Sequence, residues 1–129
     1  MSYDIAILGA GPGGYDLACE AAESGLSVAL VEPDLLGGTC LNRGCIPTKM
    51  LLGATDAVEE LAAQAKVRVA AGRIDVDHAA LKKRSDTLIA ATRKAMAKRL
   101  DALGVTLVPG RGRLDGPGRV LASGDGGDT

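Results

Sequence analysis

Apolar and polar residues alternate along this chain with changing periods. Residues 4–8, DIAIL, form a short apolar run that stops at Gly9. A run of that length, closed by glycine, predicts a buried strand. Residues 12–24 switch to helical spacing, with Leu17, Ala18, Ala21 and Ala22 on one side. Pro12 stands near the start, where a missing N–H costs least. Residues 27–31, SVALV, predict a second buried strand that ends at Glu32. Strand, helix and strand within about 30 residues make a βαβ unit, whose crossover is almost always right-handed.

Residues 33–47 carry no period and read as irregular. A helix is predicted over 48–65, with Leu51, Ala54, Val58, Leu61 and Ala65 as its apolar stripe. Residues 67–74 read as a connector. A longer helix is predicted over 77–103, with Leu81, Leu88, Ala95, Met96, Leu100 and Leu103 inward and Gly104 as its stop. Residues 105–109 and 111–114 read as one strand or a bent pair, DGPG at 115–118 as a turn, and 119–122 as a further strand. Residues 123–129, SGDGGDT, offer nothing to bury and predict a flexible tail. The fold class is therefore α/β, a Rossmann-like βαβ unit with long helices and the start of a β-meander.

Composition sharpens this picture. The 129 residues carry 15 Lys and Arg against 16 Asp and Glu, a net charge of −1, which argues against a non-specific nucleic-acid binder. Seven Lys and Arg against four Asp lie between 75 and 103, but no aromatics interleave them, so a solvated helix face is the expectation. No apolar run approaches the roughly 20 residues of a membrane span. The start carries Asp4 inside its apolar run and no basic leader, so no secretory signal is expected and a cytoplasmic setting is. Gly reaches 18 while aromatics number two Tyr, so backbone can approach backbone or ligand closely. Three Cys exclude a disulfide framework.

Gly9, Gly11 and Gly14 match G-x-G-x-x-G between strand and helix. Gly9 allows the turn, Gly11 removes a Cβ from the path of a pyrophosphate, and Gly14 lets helix pack on sheet. Free N–H groups and the positive end of the helix attract phosphate. Glu32, 18 residues beyond Gly14, is placed to accept hydrogen bonds from ribose hydroxyls, and an acid there disfavours a 2′-phosphate. FAD and NAD both use such a loop.

Cys40 and Cys45 stand in LGGTCLNRGCIPTK, residues 36–49. On an ideal helix their Cα atoms would lie roughly 8–9 Å apart, beyond the ~7 Å limit for a disulfide. A bridge needs a distorted turn, which Gly44 and Pro47 permit. Arg43, Lys49 and a following helix start favour thiolate. Gly37 and Gly38 permit close approach of a flat ligand. Two packed free thiols and a metal pair are the alternatives to a redox disulfide; the metal would need two further ligands, and His78 is remote. No metal is expected. Cys19 reads as packing.

The run Gly9-Ala10-Gly11-Pro12-Gly13-Gly14-Tyr15, Glu32, and the run from Gly37 to Lys49 resemble the N-terminus of the class I pyridine nucleotide–disulfide oxidoreductases over essentially the whole chain. Leu41, Ile46 and Met50-Leu51-Leu52 are most similar to the dihydrolipoamide dehydrogenase branch, with mercuric and glutathione reductase types as alternatives. Arg43 departs from the small apolar residue common there. The resemblance implies FAD across the loop at Gly9, Gly11, Pro12, Gly13 and Gly14, with its ribose on Glu32. It implies Cys45 facing the flavin as the charge-transfer thiolate, Cys40 as the interchange thiol, and Lys49 near the flavin N5. Gly38 and Thr39 would line the isoalloxazine and Gly112 would offer backbone to the adenine.

It further implies a homodimeric full-length enzyme that passes electrons from a small dithiol or a lipoyl protein through Cys40–Cys45 and FAD to NAD. The NAD-binding and interface domains of that family have no counterpart in these 129 residues. On this reading residues 1–122 are the first part of an FAD domain, with the redox segment at 36–49, and are inactive alone. A standalone dinucleotide-binding or thiol-exchange module is the alternative.

Overall fold

Three parallel strands carry the molecule: β1 (Ile5–Leu8), β2 (Val28–Glu32) and β3 (Thr106–Pro109), in the order β1-β2-β3. The computed structural model describes residues 1–124 and, for the backbone, 127–128. The central strand reads VALVE, and its first four residues are all buried, as a strand covered on both faces requires. Ile5 pairs with Val28 and Leu8 with Val31, while Ala29 pairs with Thr106 and Glu32 with Pro109. The start of β1 is tied down by Asp4, whose carboxylate accepts from the amide and hydroxyl of Ser27.

Helix α1 (Pro12–Glu23) makes the first crossover, with Gly11 as its N-cap and Pro12 at its first position. The second crossover is long. It runs through α2 (Gly38–Arg43), α3 (Cys45–Lys66) and α4 (His78–Ala102). Asp77 caps α4 by accepting from the Ala80 amide at 2.9 Å. Leu103 and then Gly104, at φ +71°, end it. The principal core lies between α1, the sheet and the last turns of α4, where Ala18, Cys19, Val28, Leu30, Leu100 and Val105 are all buried.

Three sequence expectations are corrected. The segment 33–47 is not irregular throughout: α2 occupies 38–43 and α3 begins at Cys45, three residues before the predicted start. The predicted stripe of α3 is not a buried face, because no residue of α3 is buried and Leu51 and Val58 are exposed. On α4, Leu88 and Ala95 point outward while Ser85 and Ile89 are buried. Leu81, Leu88 and Ala95 repeat every seven residues, a spacing that drifts about 20° per repeat around a straight helix. The covered row is instead 81, 85, 89, 96, 100.

Beyond β3 the chain bends at Gly110, at φ +139°, and leaves the parallel sheet. Of the two predicted alternatives, one strand or a bent pair, the structure has the pair, and its two strands lie in different sheets. β4 (Arg111–Leu114), β5 (Val120–Gly124) and β6 (Gly127–Asp128) form an antiparallel meander. The predicted tail is corrected too: Ser123 and Gly124 belong to β5 and pair with Asp128 and Gly127. Its remaining positions, 125, 126 and 129, lie outside the described residues. No helix among the described residues is long and apolar enough to cross a membrane.

Candidate nucleotide and redox-disulfide site

The site is assembled at the carboxyl ends of β1 and β2, where an open α/β sheet leaves its crevice. Gly9 takes φ +96°, which lets the chain turn sharply out of β1. A Cβ on Gly14 would fall inside the carbonyl oxygen of Gly9 and 3.4 Å from Ile7 Cγ2, so this glycine is what seats α1 on β1. Gly11 and Gly13 differ: a Cβ on either would meet nothing within 4 Å. The space above Gly11 is open, and no side chain caps the first turn of α1. The free amides of that turn therefore face an open crevice.

Glu32 is held in place by this loop. Its Oε2 accepts from the Ala10 amide at 2.7 Å and its Oε1 accepts from the Asp34 amide at 2.9 Å. Each oxygen keeps a lone pair for a further donor. The Ala10 carbonyl in turn accepts from the Gly37 amide at 2.8 Å, which links the glycine loop to the cysteine segment. Gly37 and Gly38 both have positive φ, and a Cβ on Gly38 would lie 2.9 Å from Gly11 Cα. Gly38 thus lets α2 dock against the glycine loop, while a Cβ on Gly37 would run into Leu41, and spacing alone did not reveal either role.

Cys40 and Cys45 form a disulfide with Cα atoms 4.7 Å apart. Gly44 is the distortion that permits it. It separates α2 from α3, and a Cβ there would crowd the Thr39 carbonyl at 3.1 Å. Pro47 falls in the first turn of α3, where no intrahelical bond is lost. Cys45 is the first residue of that 22-residue helix, at its positive end. It is exposed, Cys40 is half-buried, and Lys49 is exposed one turn beyond Cys45 on the same face. Thr39 is exposed at the second position of α2.

Arg43 is not a free cation beside the sulfurs. Its guanidinium pairs with Asp34 at 2.6 Å, which holds the Asp34 carboxyl below its usual range. Asn42 is a residue that sequence reasoning missed. Its amide donates to the carbonyls of Gly38 at 2.8 Å and Leu36 at 3.1 Å, closing the Gly-Gly turn, while its buried Oδ1 has no partner among the described residues. The available signal was its position four residues after Gly38, the reach of a side chain to the preceding helical turn.

Gly112 sits in β4 where a Cβ would drive into Leu8 and come within 3.1 Å of Val31 Cγ1, so it lets the meander rest on the ends of β1 and β2. Cys19 stands apart from the disulfide. It is a buried free thiol beside Tyr15, whose phenol is pushed up mainly by burial and then by that thiol. Among the described residues no group of three or more His, Cys, Asp or Glu is arranged to hold a metal ion.

The site joins a Cys-x4-Cys disulfide to an open, glycine-lined loop through the turn at Gly37 and Gly38. The sequence profile of the pyridine nucleotide-disulphide oxidoreductases matches residues 3–122, and the chain belongs to that family. It is 37% identical over 113 residues to a dihydrolipoyl dehydrogenase of Chlamydia muridarum, covering 88% of this chain and 24% of the relative. It is 41% identical over 125 residues to a dihydrolipoyl dehydrogenase of Halobacterium salinarum, covering 95% of this chain and 26% of the relative. The crystal structure of LpdA from Mycobacterium tuberculosis superposes with a TM-score of 0.76 at 28% identity, covering 96% of this chain and 28% of that one. The fold also matches the flavoprotein disulfide reductase RclA of Escherichia coli, in a Cu(II) complex, with a TM-score of 0.80 at 23% identity over 100% of this chain and 26% of that one. The chain thus spans about a quarter of the length of the relatives it matches.

Proposed function

We propose that this chain is the disulfide-bearing, FAD-binding part of a dihydrolipoyl dehydrogenase-type oxidoreductase. The observation that carries the reading is the contact of Gly38 with Gly11, which seats the Cys40–Cys45 helix pair against the phosphate loop. The residues fit the cofactor: open space above Gly11, uncapped amides at Gly13 and Gly14, and a Glu32 carboxylate fixed by two backbone amides. Pro12 would pre-set the first turn, and Gly112 would bring the meander backbone close to the nucleotide. FAD supplies an acceptor for two electrons beside the disulfide.

The chain's own chemistry is thiol–disulfide exchange. A thiolate of a small dithiol attacks Cys40 Sγ, forming a mixed disulfide and releasing Cys45 as thiolate. The second substrate thiol loses its proton and attacks the substrate sulfur of the mixed disulfide. The substrate leaves as a disulfide and Cys40 is released, so two electrons now reside on the Cys40–Cys45 dithiol. The end of α3 and the Lys49 ammonium stabilise the Cys45 thiolate. Thr39 and Gly38 would wall the flavin side. A lipoyl group, NAD as the final acceptor through a further domain, a homodimeric whole enzyme and a cytoplasmic setting belong to the same proposal. The relatives' names support the first of these. The 129 residues by themselves are proposed to turn nothing over.

Thiol titration of the denatured chain tests the pairing. One thiol, Cys19, is expected before reduction and three after it. Three thiols in both states would remove the disulfide from the mechanism. Titration with FAD, followed by flavin fluorescence, tests the loop; weak retention is expected, abolished by Gly11→Val. Dihydrolipoamide:NAD⁺ turnover by the isolated chain would refute its inactivity.

A further inference from the structure

Arg43 lies between the two cysteines, as the last residue of α2 and two positions before Cys45. Chain geometry keeps its Cα within about 7.6 Å of the Cys45 Cα, so its guanidinium stands on the order of 10 Å from the sulfurs. It is the cation nearest in sequence to Cys45, ahead of Lys49. Its Nη1 donates to Asp34 Oδ2 at 2.6 Å. Asp34 is itself fixed from behind: its amide donates to Glu32 Oε1 at 2.9 Å, and Glu32 Oε2 is held by the Ala10 amide. Arg93 on α4 adds a second favourable charge, so Asp34 stays ionised.

The side chains of this pair are 61% and 50% exposed, and such a pair adds little to stability. Its electrostatic consequence is different. Reduction takes the Cys40–Cys45 disulfide, with two electrons and one proton, to a Cys40 thiol and a Cys45 thiolate, so a negative charge appears where there was none. A free cation nearby favours that product. Asp34 cancels the Arg43 cation at a distance and leaves the neutral disulfide favoured by as much. At ~10 Å in a water-like dielectric, one unit charge moves such an equilibrium about twofold.

We propose that Asp34 is a positioning residue for the redox couple: by holding the Arg43 guanidinium it masks the cation between the cysteines and keeps the Cys40–Cys45 couple more reducing. This tuning rests on the redox role proposed for the pair.

The oxidised 129-residue chain, checked for fold by circular dichroism, is equilibrated in dithiothreitol redox buffers at neutral pH and an ionic strength of about 10 mM, where the Debye length is about 30 Å. Dithiothreitol gives up two electrons and two protons and closes to its cyclic disulfide; one proton goes to Cys40 and the other to the buffer. Alkylation and mass spectrometry then count the reduced pairs. Asp34→Asn unmasks Arg43 and should favour reduction about twofold, a rise of ~9 mV, whereas Arg43→Gln leaves Asp34 bare and should oppose reduction about twofold. Both positions are exposed, so the fold persists. The double variant and Arg43→Lys should stay near wild type, and all shifts should vanish at about 0.5 M salt. Single-variant shifts in one common direction, the mark of a merely mechanical tether, would overturn the proposal, as would two unmoved equilibria or shifts that survive salt. Three free thiols in the oxidised wild-type chain would instead sink the redox role, and the tuning with it.

Discussion

Gly14→Ala isolates the close seating of α1 on β1, because the added methyl has a single destination. It would enter the Gly9 carbonyl oxygen and stand 3.1 Å from Gly9 C and 3.4 Å from Ile7 Cγ2. The obstacle is backbone, so no rotamer change relieves it, and α1 must lift from the sheet. Overpacking of this kind costs about 1–3 kcal/mol. Alanine is the better helix former by about 1 kcal/mol, which offsets part of that cost. Because the clash is with backbone, the cost lies at the upper end of that range, and the net expectation is a loss of about 2 kcal/mol, or about 0.7–2 M in the urea midpoint at a slope of 1–3 kcal/mol/M. Gly13→Ala is the matched control. It lies one residue away in the same helix turn, and its methyl would meet nothing within 4 Å. It should be neutral or stabilising by up to about 1 kcal/mol. Urea titrations followed by circular dichroism read both. A Gly14→Ala chain as stable as wild type, or a Gly13→Ala chain equally damaged, would refute the argument.

Glu32→Ala should cost about 1–3 kcal/mol in the same assay, since it orphans the Ala10 and Asp34 amides, while Glu32→Gln keeps acceptor capacity for one and should cost less. Leu100→Ala empties a site that is 2% exposed and should cost about 2–5 kcal/mol; a loss under about 1 kcal/mol would place the core elsewhere. Ser27 holds the Asp4 carboxyl below its usual range through its hydroxyl and then its amide, so that contribution is fully present above about pH 3.9 and is lost as pH falls through the lower folded value. Ser27→Ala should flatten the acid limb of the stability profile, read by urea midpoints between about pH 2 and 5.

Much of the fold was legible because its causes are local. The apolar run before Gly9, the proline at the start of α1, the apolar run before Glu32 and the glycine after α4 each set an element boundary through nearest-neighbour geometry. The glycine loop and the Cys-x4-Cys spacing were equally visible, because each depends on a few residues in fixed order. The helix α2 was not legible. Six residues beginning Gly-Thr-Cys carry no period, and they are helical because Gly38 tucks against Gly11, Gly37 leaves room for Leu41, and Asn42 ties the turn. The face of α4 was read correctly at Leu81, Met96, Leu100 and Leu103 and misread at Leu88 and Ala95, because a seven-residue spacing looks like a stripe until the packing partner selects Ser85 and Ile89 instead.

The sequence by itself determined the βαβ unit, the phosphate loop, the acid at position 32 and the presence of a cysteine pair able to bridge only across distorted backbone. Tertiary structure decided the rest: that the pair sits against the phosphate loop, that Arg43 is committed to Asp34, that Gly112 serves sheet packing, and that α3 is left with no buried face. The first set follows from steric and hydrogen-bond rules acting over a few residues. The second depends on which distant backbones come within a Cβ of each other, and no local pattern encodes that distance.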